Sequence, residues 1–153
     1  MKKFWLSCLF VAVLGLLSNP VARLIPRKFS FDKFPFAPFS FEKGGKLYEK
    51  IGIKKWKDKV PDMSKILKTL MPKRVTADGG AKQFSLLAQE TCVAELVHGA
   101  LAVLSLGILT FWRDIWAAVF LTVYNVFGNL LFIIIQRYNR PRLIRLASRE
   151  KKD

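Results

Sequence analysis

Two apolar runs, each long enough to cross a bilayer, stand back to back with only two polar residues between them. Val93 to Trp112 is 20 residues with Glu95 and His98 as its ionisable groups. Ile115 to Ile135 is 21 residues with none but Tyr124, a phenol neutral at physiological pH. A bilayer core demands about 20 apolar residues of helix. A backbone in lipid must satisfy its own hydrogen bonds, so each run is expected to be helical. Arg113-Asp114 leaves room for a tight turn and nothing more, so the two runs predict an antiparallel transmembrane hairpin. A helix from about Ala81 to about Trp112 is expected to form its first arm.

The rest of the chain fits that setting. There are 26 Lys+Arg against 11 Asp+Glu, a formal charge of +15, with 52% hydrophobic residues. A soluble nucleic-acid binder would have the charge without the apolar runs, so no nucleic-acid partner is expected. An aromatic content of 13% argues against a disordered basic tail. The composition predicts a membrane protein whose basic segments meet anionic lipid. Two cysteines, Cys8 and Cys92, make a disulfide scaffold a poor reading, and buried thiols the better one. His98 is the lone histidine, which excludes multi-histidine metal sites. Glu95-x-x-His98 is a metal-ligand spacing in helical bundles, but a di-iron site needs it twice. No metal and no cofactor are expected.

Phe4 to Ser18, extending to about Ile25, is a further apolar run behind two lysines. It fits a signal peptide or a retained membrane helix. No clean Ala-x-Ala cleavage site follows, which favours retention. Of the 26 basic residues, 23 fall in 19–92 and 137–153. Three spans with the amino end outside would place those 23 in the cytoplasm, as the positive-inside bias asks. The expected fold is therefore all-α. It has an N-terminal apolar helix, a basic amphipathic cytoplasmic segment with short helices, and a C-terminal two-helix transmembrane hairpin. The expected location is a membrane, crossed several times.

Between the spans, Phe29, Phe31, Phe34, Phe36, Phe39 and Phe41 recur around Pro35 and Pro38, which exclude a regular helix. The segment reads either as an extended strip packing its rings on the rest of the domain, or as an aromatic-basic strip among lipid headgroups. Gly44-Gly45 predicts a turn, Lys46 to Ile53 a short helix, Ile53 to Asp62 a compact loop, Met63 to Leu70 a short amphipathic helix, and Lys73 to Gly80 a loop.

The polar residues inside the hairpin are not scattered. At about 100° per residue, Thr91, Glu95 and His98 fall on one stripe of the first arm. Asn125, Asn129 and Gln136 share a stripe on the second. Folding the pair between residues 113 and 114 sets His98 level with Asn129, Glu90 with Arg137, and Thr91 with Gln136. His98 then lies roughly 8 Å inside the span at about 1.5 Å per residue. An ionisable group at membrane depth costs on the order of 2.5–3.5 kcal/mol. Such a cost points to use, although polar side chains also serve to join helices in bilayers. Glu90 is expected to pair with Arg137 or Arg140 at the boundary.

Two strings carry a resemblance: Gln136-Arg137-Tyr138-Asn139-Arg140-Pro141-Arg142-Leu143 and Glu90-Thr91-Cys92-Val93-Ala94-Glu95-Leu96-Val97-His98. With Phe41-Glu42-Lys43, Gly45-Lys46 and Trp56-Lys57 they resemble the glycosyl-4,4'-diaponeurosporenoate acyltransferase family over roughly residues 36–146. Asn129-Leu130-Leu131 departs from an Asn-x-Pro-like segment usual there. The resemblance implies transfer of a long-chain fatty acyl group to a sugar hydroxyl of a glycosylated carotenoid, a step of staphyloxanthin-type carotenoid biosynthesis. On that reading residues 1–25 are the N-terminal transmembrane helix or signal anchor. Residues 26–153 are an acyltransferase-like membrane domain, with the hairpin at 93–135 and a basic tail at 136–153.

Acyl transfer to an alcohol needs a base for the hydroxyl proton and donors for the oxyanion. His98 is the candidate base, since imidazole alone has an unperturbed pKa near neutrality. Glu95 would orient it or stabilise its cation. Asn129 and Gln136 are candidate oxyanion donors. Arg137, Arg140 and Arg142 would hold the phosphate of an acyl donor such as acyl-CoA or a phospholipid, because the guanidinium fork binds phosphate bidentately. Glu90, Asn125, Asn139 and Trp56 complete the candidate substrate-binding set, with Lys54, Lys55 and Lys57 beside Trp56 as weaker anion binders. Expected partners are membrane lipids, a glycosylated lipid acceptor and the acyl donor. The competing function is a non-enzymatic membrane adaptor or anionic-lipid-binding subunit.

Overall fold

The computed structural model describes residues 1–60 and 80–150. The expected helix at Met63–Leu70 and nearly all of the expected loop at Lys73–Gly80 lie outside them. The regular elements among the described residues are all helical, with no strand. The first apolar run is helix α1, Lys2–Leu24. A 3-10 turn at Ser40–Gly45 leads into α2, Lys46–Lys50, and α3, Ile53–Trp56. Helix α4 covers Gly80–Ser105 and tightens into a 3-10 stretch at Leu106–Thr110. Helix α5, Ile115–Val123, widens into a π-helical turn at Tyr124–Leu130 and continues as α6, Leu131–Arg149. Three helical stretches, Lys2–Leu24, Gly80–Thr110 and Ile115–Arg149, are long and apolar enough to cross a membrane.

By its contacts the chain divides into two compact units, residues 1–27 with 92–134, and residues 28–91 with 135–153. The first unit contains α1 and most of the hairpin. Ile108, Trp112, Ala117 and Leu121 form its buried cluster, against which Phe10, Val11, Phe111 and Phe120 pack. Phe10 meets Phe111 edge-on, with ring centroids 6.3 Å apart, and Phe4 meets Phe120 at 5.8 Å. Gly107 makes the approach of α1 possible: a Cβ there would stand 3.1 Å from Phe10 Cζ. Trp5, Leu9, Leu16, Leu17, Val103, Ile115, Trp116 and Phe127 are exposed on these helices. So large an apolar outer surface is of the kind that meets lipid or another protein. Both cysteines are thiols; Cys92 is buried and Cys8 half-buried.

The hairpin turn is held by its own two residues and a neighbour. Asp114 is the N-cap of α5, and its Oδ1 accepts from the Trp116 and Ala117 amides at 2.9 and 3.2 Å. Trp112 Nε1 donates to Asp114 Oδ2 at 2.7 Å, and Arg113 Nε donates back to the Leu109 carbonyl. Asp114→Ala removes a cap and strands the indole N–H. We expect it to cost about 0.5–2 kcal/mol, read as a lower thermal unfolding midpoint in detergent.

In the second unit the reading of Ile53–Asp62 as a loop is corrected at its start, where Ile53–Trp56 is helical; residues 57–60 are turn and bend, and 61–62 lie outside the described residues. Gly52 has φ +70°, which ends α2 and lets Ile53–Trp56 start a new helical turn. Ile53 is fully buried there, so its side chain anchors the turn. The expected helix over Lys46–Ile53 is correspondingly shorter. Lys43, Gly44 and Gly45 all have positive φ. A left-handed run of three is tolerable because two of them are glycines, and it reverses the chain so that Glu42 is buried. The Phe/Pro segment is a series of turns, as the prolines require. Phe36 is buried, whereas Phe34 and Phe41 are exposed, so part of the strip packs inward and part does not.

Candidate functional site

In the first unit the α4 stripe and the asparagines of the π turn meet. His98 Nδ1 is 3.3 Å from Asn129 Oδ1. The imidazole lies flat on Phe132, with centroids 4.6 Å apart and 9° between planes. Asn129 is 1% exposed. Its Nδ2 donates to Asn125 Oδ1 at 3.2 Å, and Asn125 Nδ2 donates to Ser105 Oγ at 3.0 Å. Ser105, fully buried, donates its hydroxyl proton to the Ala102 carbonyl at 2.7 Å. A π turn is rare and recurs at functional sites; here it supplies both asparagines.

This chain has one consistent direction. Ser105 has a single proton and gives it to Ala102, so its oxygen must accept from an Asn125 N–H. Asn125 therefore presents its carbonyl to Asn129, and Asn129 presents its own to His98. An acceptor at Nδ1 selects the tautomer with the proton on Nδ1 and the lone pair on Nε2. The imidazole is thus held by the stack on Phe132 and by an amide chain ending on a backbone carbonyl. Glu95 lies half-buried on the same helix, one turn before His98.

In the second unit Arg137 and Arg140 of α6 bind the protein's own backbone carbonyls and side chains. Arg137 is 8% exposed. Its Nε donates to Glu42 Oε1 at 2.5 Å, and its two Nη groups donate to the carbonyls of Pro35 and Ala37, each at 2.9 Å. Its guanidinium sits 4.3 Å from the centre of the Phe39 ring. Arg140 is 3% exposed. It donates to Thr91 Oγ1 at 2.8 Å, to the Phe36 carbonyl at 3.0 Å and to the Thr91 carbonyl at 3.3 Å. Glu42 also accepts from Tyr48 Oη at 2.5 Å and from the Phe39 amide at 3.1 Å. Burial and the adjacent Glu42 carboxylate push the Tyr48 phenol above its ordinary range. Gln89 grips Phe29 from both sides, accepting its N–H at 2.7 Å and donating to its carbonyl at 3.0 Å.

The remaining candidates are spread over this unit. Arg142 donates to Glu49 Oε1 at 2.6 Å and lies 3.9 Å over the Tyr138 ring. Glu49 also pairs with Lys54 at 3.2 Å. The hydrogen bond from Lys54, with the charge of Arg142 behind it, holds the exposed Glu49 carboxyl below its usual range. Trp56 ends α3 and donates to the Ile51 carbonyl at 3.2 Å. Glu90, on α4 beside Thr91, is half-buried, as are Gln136 and Asn139 on α6.

The structure thus brings His98, Asn129 and Asn125 together, and adds Ser105, which sequence reasoning missed. Ser105 is two helical turns after His98, on the same face to within about 20°, a signal open to a face calculation. It brings Arg137 to Glu42, which sequence reasoning also missed. These residues are 95 apart, and nothing local in either segment marks the pair. Among the described residues no group of three or more His, Cys, Asp or Glu side chains could hold a metal ion.

Three helices long and apolar enough to cross a membrane and a part-buried histidine–amide chain define the class of helical protein to which this chain belongs. A profile of the glycosyl-4,4'-diaponeurosporenoate acyltransferase family matches residues 30–149, and the chain belongs to that family. A Staphylococcus aureus protein of that name, from strain MRSA252, is 29% identical over 153 residues, covering 95% of this chain and 91% of its own length. The strain N315 protein is 30% identical with the same coverage. No solved structure matches.

Proposed function

We propose that the protein is a membrane acyltransferase that esterifies a sugar hydroxyl of a glycosylated apolar lipid, a glycosyl carotenoid in the first instance, in a bacterial cell membrane. Family membership supports the reaction class. The observation that supports the site is the 3.3 Å contact of His98 Nδ1 with Asn129 Oδ1 at the head of the amide chain. With the proton on Nδ1, Nε2 takes the acceptor's hydroxyl proton as that oxygen attacks the acyl carbon. The ester forms, the bond to the donor's leaving sulfur or oxygen breaks, and the proton on Nε2 passes to that leaving atom. Glu95 favours the transient imidazolium by charge. Asn129 acts through His98 as an orienting acceptor, because its amide N–H groups are taken up by Asn125 and Tyr124.

The test is direct. The full chain in lipid nanodiscs, given a glycosyl carotenoid and an activated long-chain acyl donor, should yield the acyl ester, detected by mass spectrometry. Absence of ester with every acceptor bearing a sugar would remove this reading.

Ser105→Ala removes the end of the amide chain and lets Asn125 and Asn129 rotate. One hydrogen bond in this setting contributes about 0.5–1.5 kcal/mol. Turnover should therefore fall roughly twofold to tenfold at near-normal abundance. A rate equal to wild type would show that Ser105 does not position the imidazole.

A further inference from the structure

The second unit bears a half-open cavity of about 390 Å³ between the Phe/Pro segment and α6. Among the described residues, Arg137, Arg140 and Arg145 line it with a single carboxylate, that of Glu42. The rest of the lining is largely apolar, including Phe36 and Ile144. The forks of Arg137 and Arg140 hold Glu42, Thr91 and backbone carbonyls, so these two supply charge with their geometry already committed. Arg145 differs. It is exposed, and its Nε donates to the Pro141 carbonyl one turn back at 3.2 Å.

A lining with three guanidinium groups and one carboxylate favours an anion, and a guanidinium suits a phosphate best because of its planar fork. The apolar wall beside the charge favours a phosphate that bears a chain over inorganic phosphate. Resting on the acyl-transfer reading, we propose that this cavity holds the phosphate of the acyl donor, with Arg145 as the cation that meets it and Ile144 and Phe36 beside the adjoining carbon chain. A coenzyme A thioester and a phospholipid ester both present that chemistry.

Three fluorescent probes with the same labelled palmitoyl chain separate these cases: palmitoyl-CoA, dipalmitoylphosphatidylglycerol, and dipalmitoylglycerol, which has no phosphate. Each is titrated against the full chain in maltoside micelles. At least one phosphate probe should bind, the diacylglycerol should not, and the probe that binds identifies the source. Arg145→Glu should weaken that binding roughly 10- to 100-fold, as loss of a charge-assisted contact implies. Ile144→Trp, which fills the cavity without touching its charge, should weaken it as well. His98→Gln should leave it unchanged. If neither substitution alters binding, or diacylglycerol binds as well as the phosphate probes, the cavity is not the donor site. Ester formed at a wild-type rate by Arg145→Glu at limiting donor would overturn the cavity and leave the acyl-transfer reading intact. Arg145-dependent binding with no ester from the wild-type protein would do the reverse.

Discussion

His98→Gln should reduce acyl transfer by roughly 10²–10⁴ while leaving protein abundance and membrane insertion near normal. Glutamine is the informative replacement. Its amide N–H can still donate to Asn129 Oδ1, as His98 Nδ1 does across 3.3 Å, but it has no basic nitrogen. A histidine serving only to join helices would behave differently. Its loss would cost on the order of 0.6–2 kcal/mol of packing, seen as lower abundance with activity reduced in proportion. Product formation per molecule equal to wild type would end the assignment of His98 as base and favour an adaptor role. Measuring both abundance and specific activity separates the cases.

The largest loss of stability should come from Arg137→Met. Glu42 would be left 3% exposed with Tyr48 and the Phe39 amide as donors but its cation gone, and the Pro35 and Ala37 carbonyls would lose the donors Arg137 gives them. Breaking a buried pair from one side costs about 3–5 kcal/mol. The unfolding midpoint in detergent should fall sharply. The double replacement Arg137→Met with Glu42→Gln should recover part of it, since no buried charge is then stranded. A midpoint unchanged by Arg137→Met would mean that the pair does not hold the Phe/Pro segment.

These two residues show what a sequence yields and what it hides. The meeting of His98 with Asn129 follows from two span lengths and a two-residue turn, because a short turn leaves an antiparallel pair little freedom of register. The arginines of α6 carry no such constraint. A basic run after a span is equally compatible with lipid anchoring, phosphate binding and backbone capture, and the sequence spacing is the same in all three. Only the left-handed run at Lys43–Gly45 delivers Glu42 to Arg137, and that depends on three-dimensional path, not on pattern. The break at Gly52 was similarly hidden: a glycine followed by Ile53 looks like a helix end, yet burial of Ile53 restarts the helix at once. The π turn has no reliable local signature, although its two asparagines were visible at a spacing of four.

The amide chain behind His98 also bears on where protons go. Asparagine side chains transmit orientation, but their N–H groups do not ionise near neutral pH, so a line of them is an insulator to protons. Ser105 closes the far end by donating to Ala102, a carbonyl with no proton to return. The Nδ1 side of the imidazole is therefore sealed against exchange through this path. A proton gained at Nε2 must leave from Nε2, to the departing group of the donor. On the proposed mechanism each turnover is proton-neutral at the histidine, and its rate should show no dependence on the proton gradient across the membrane.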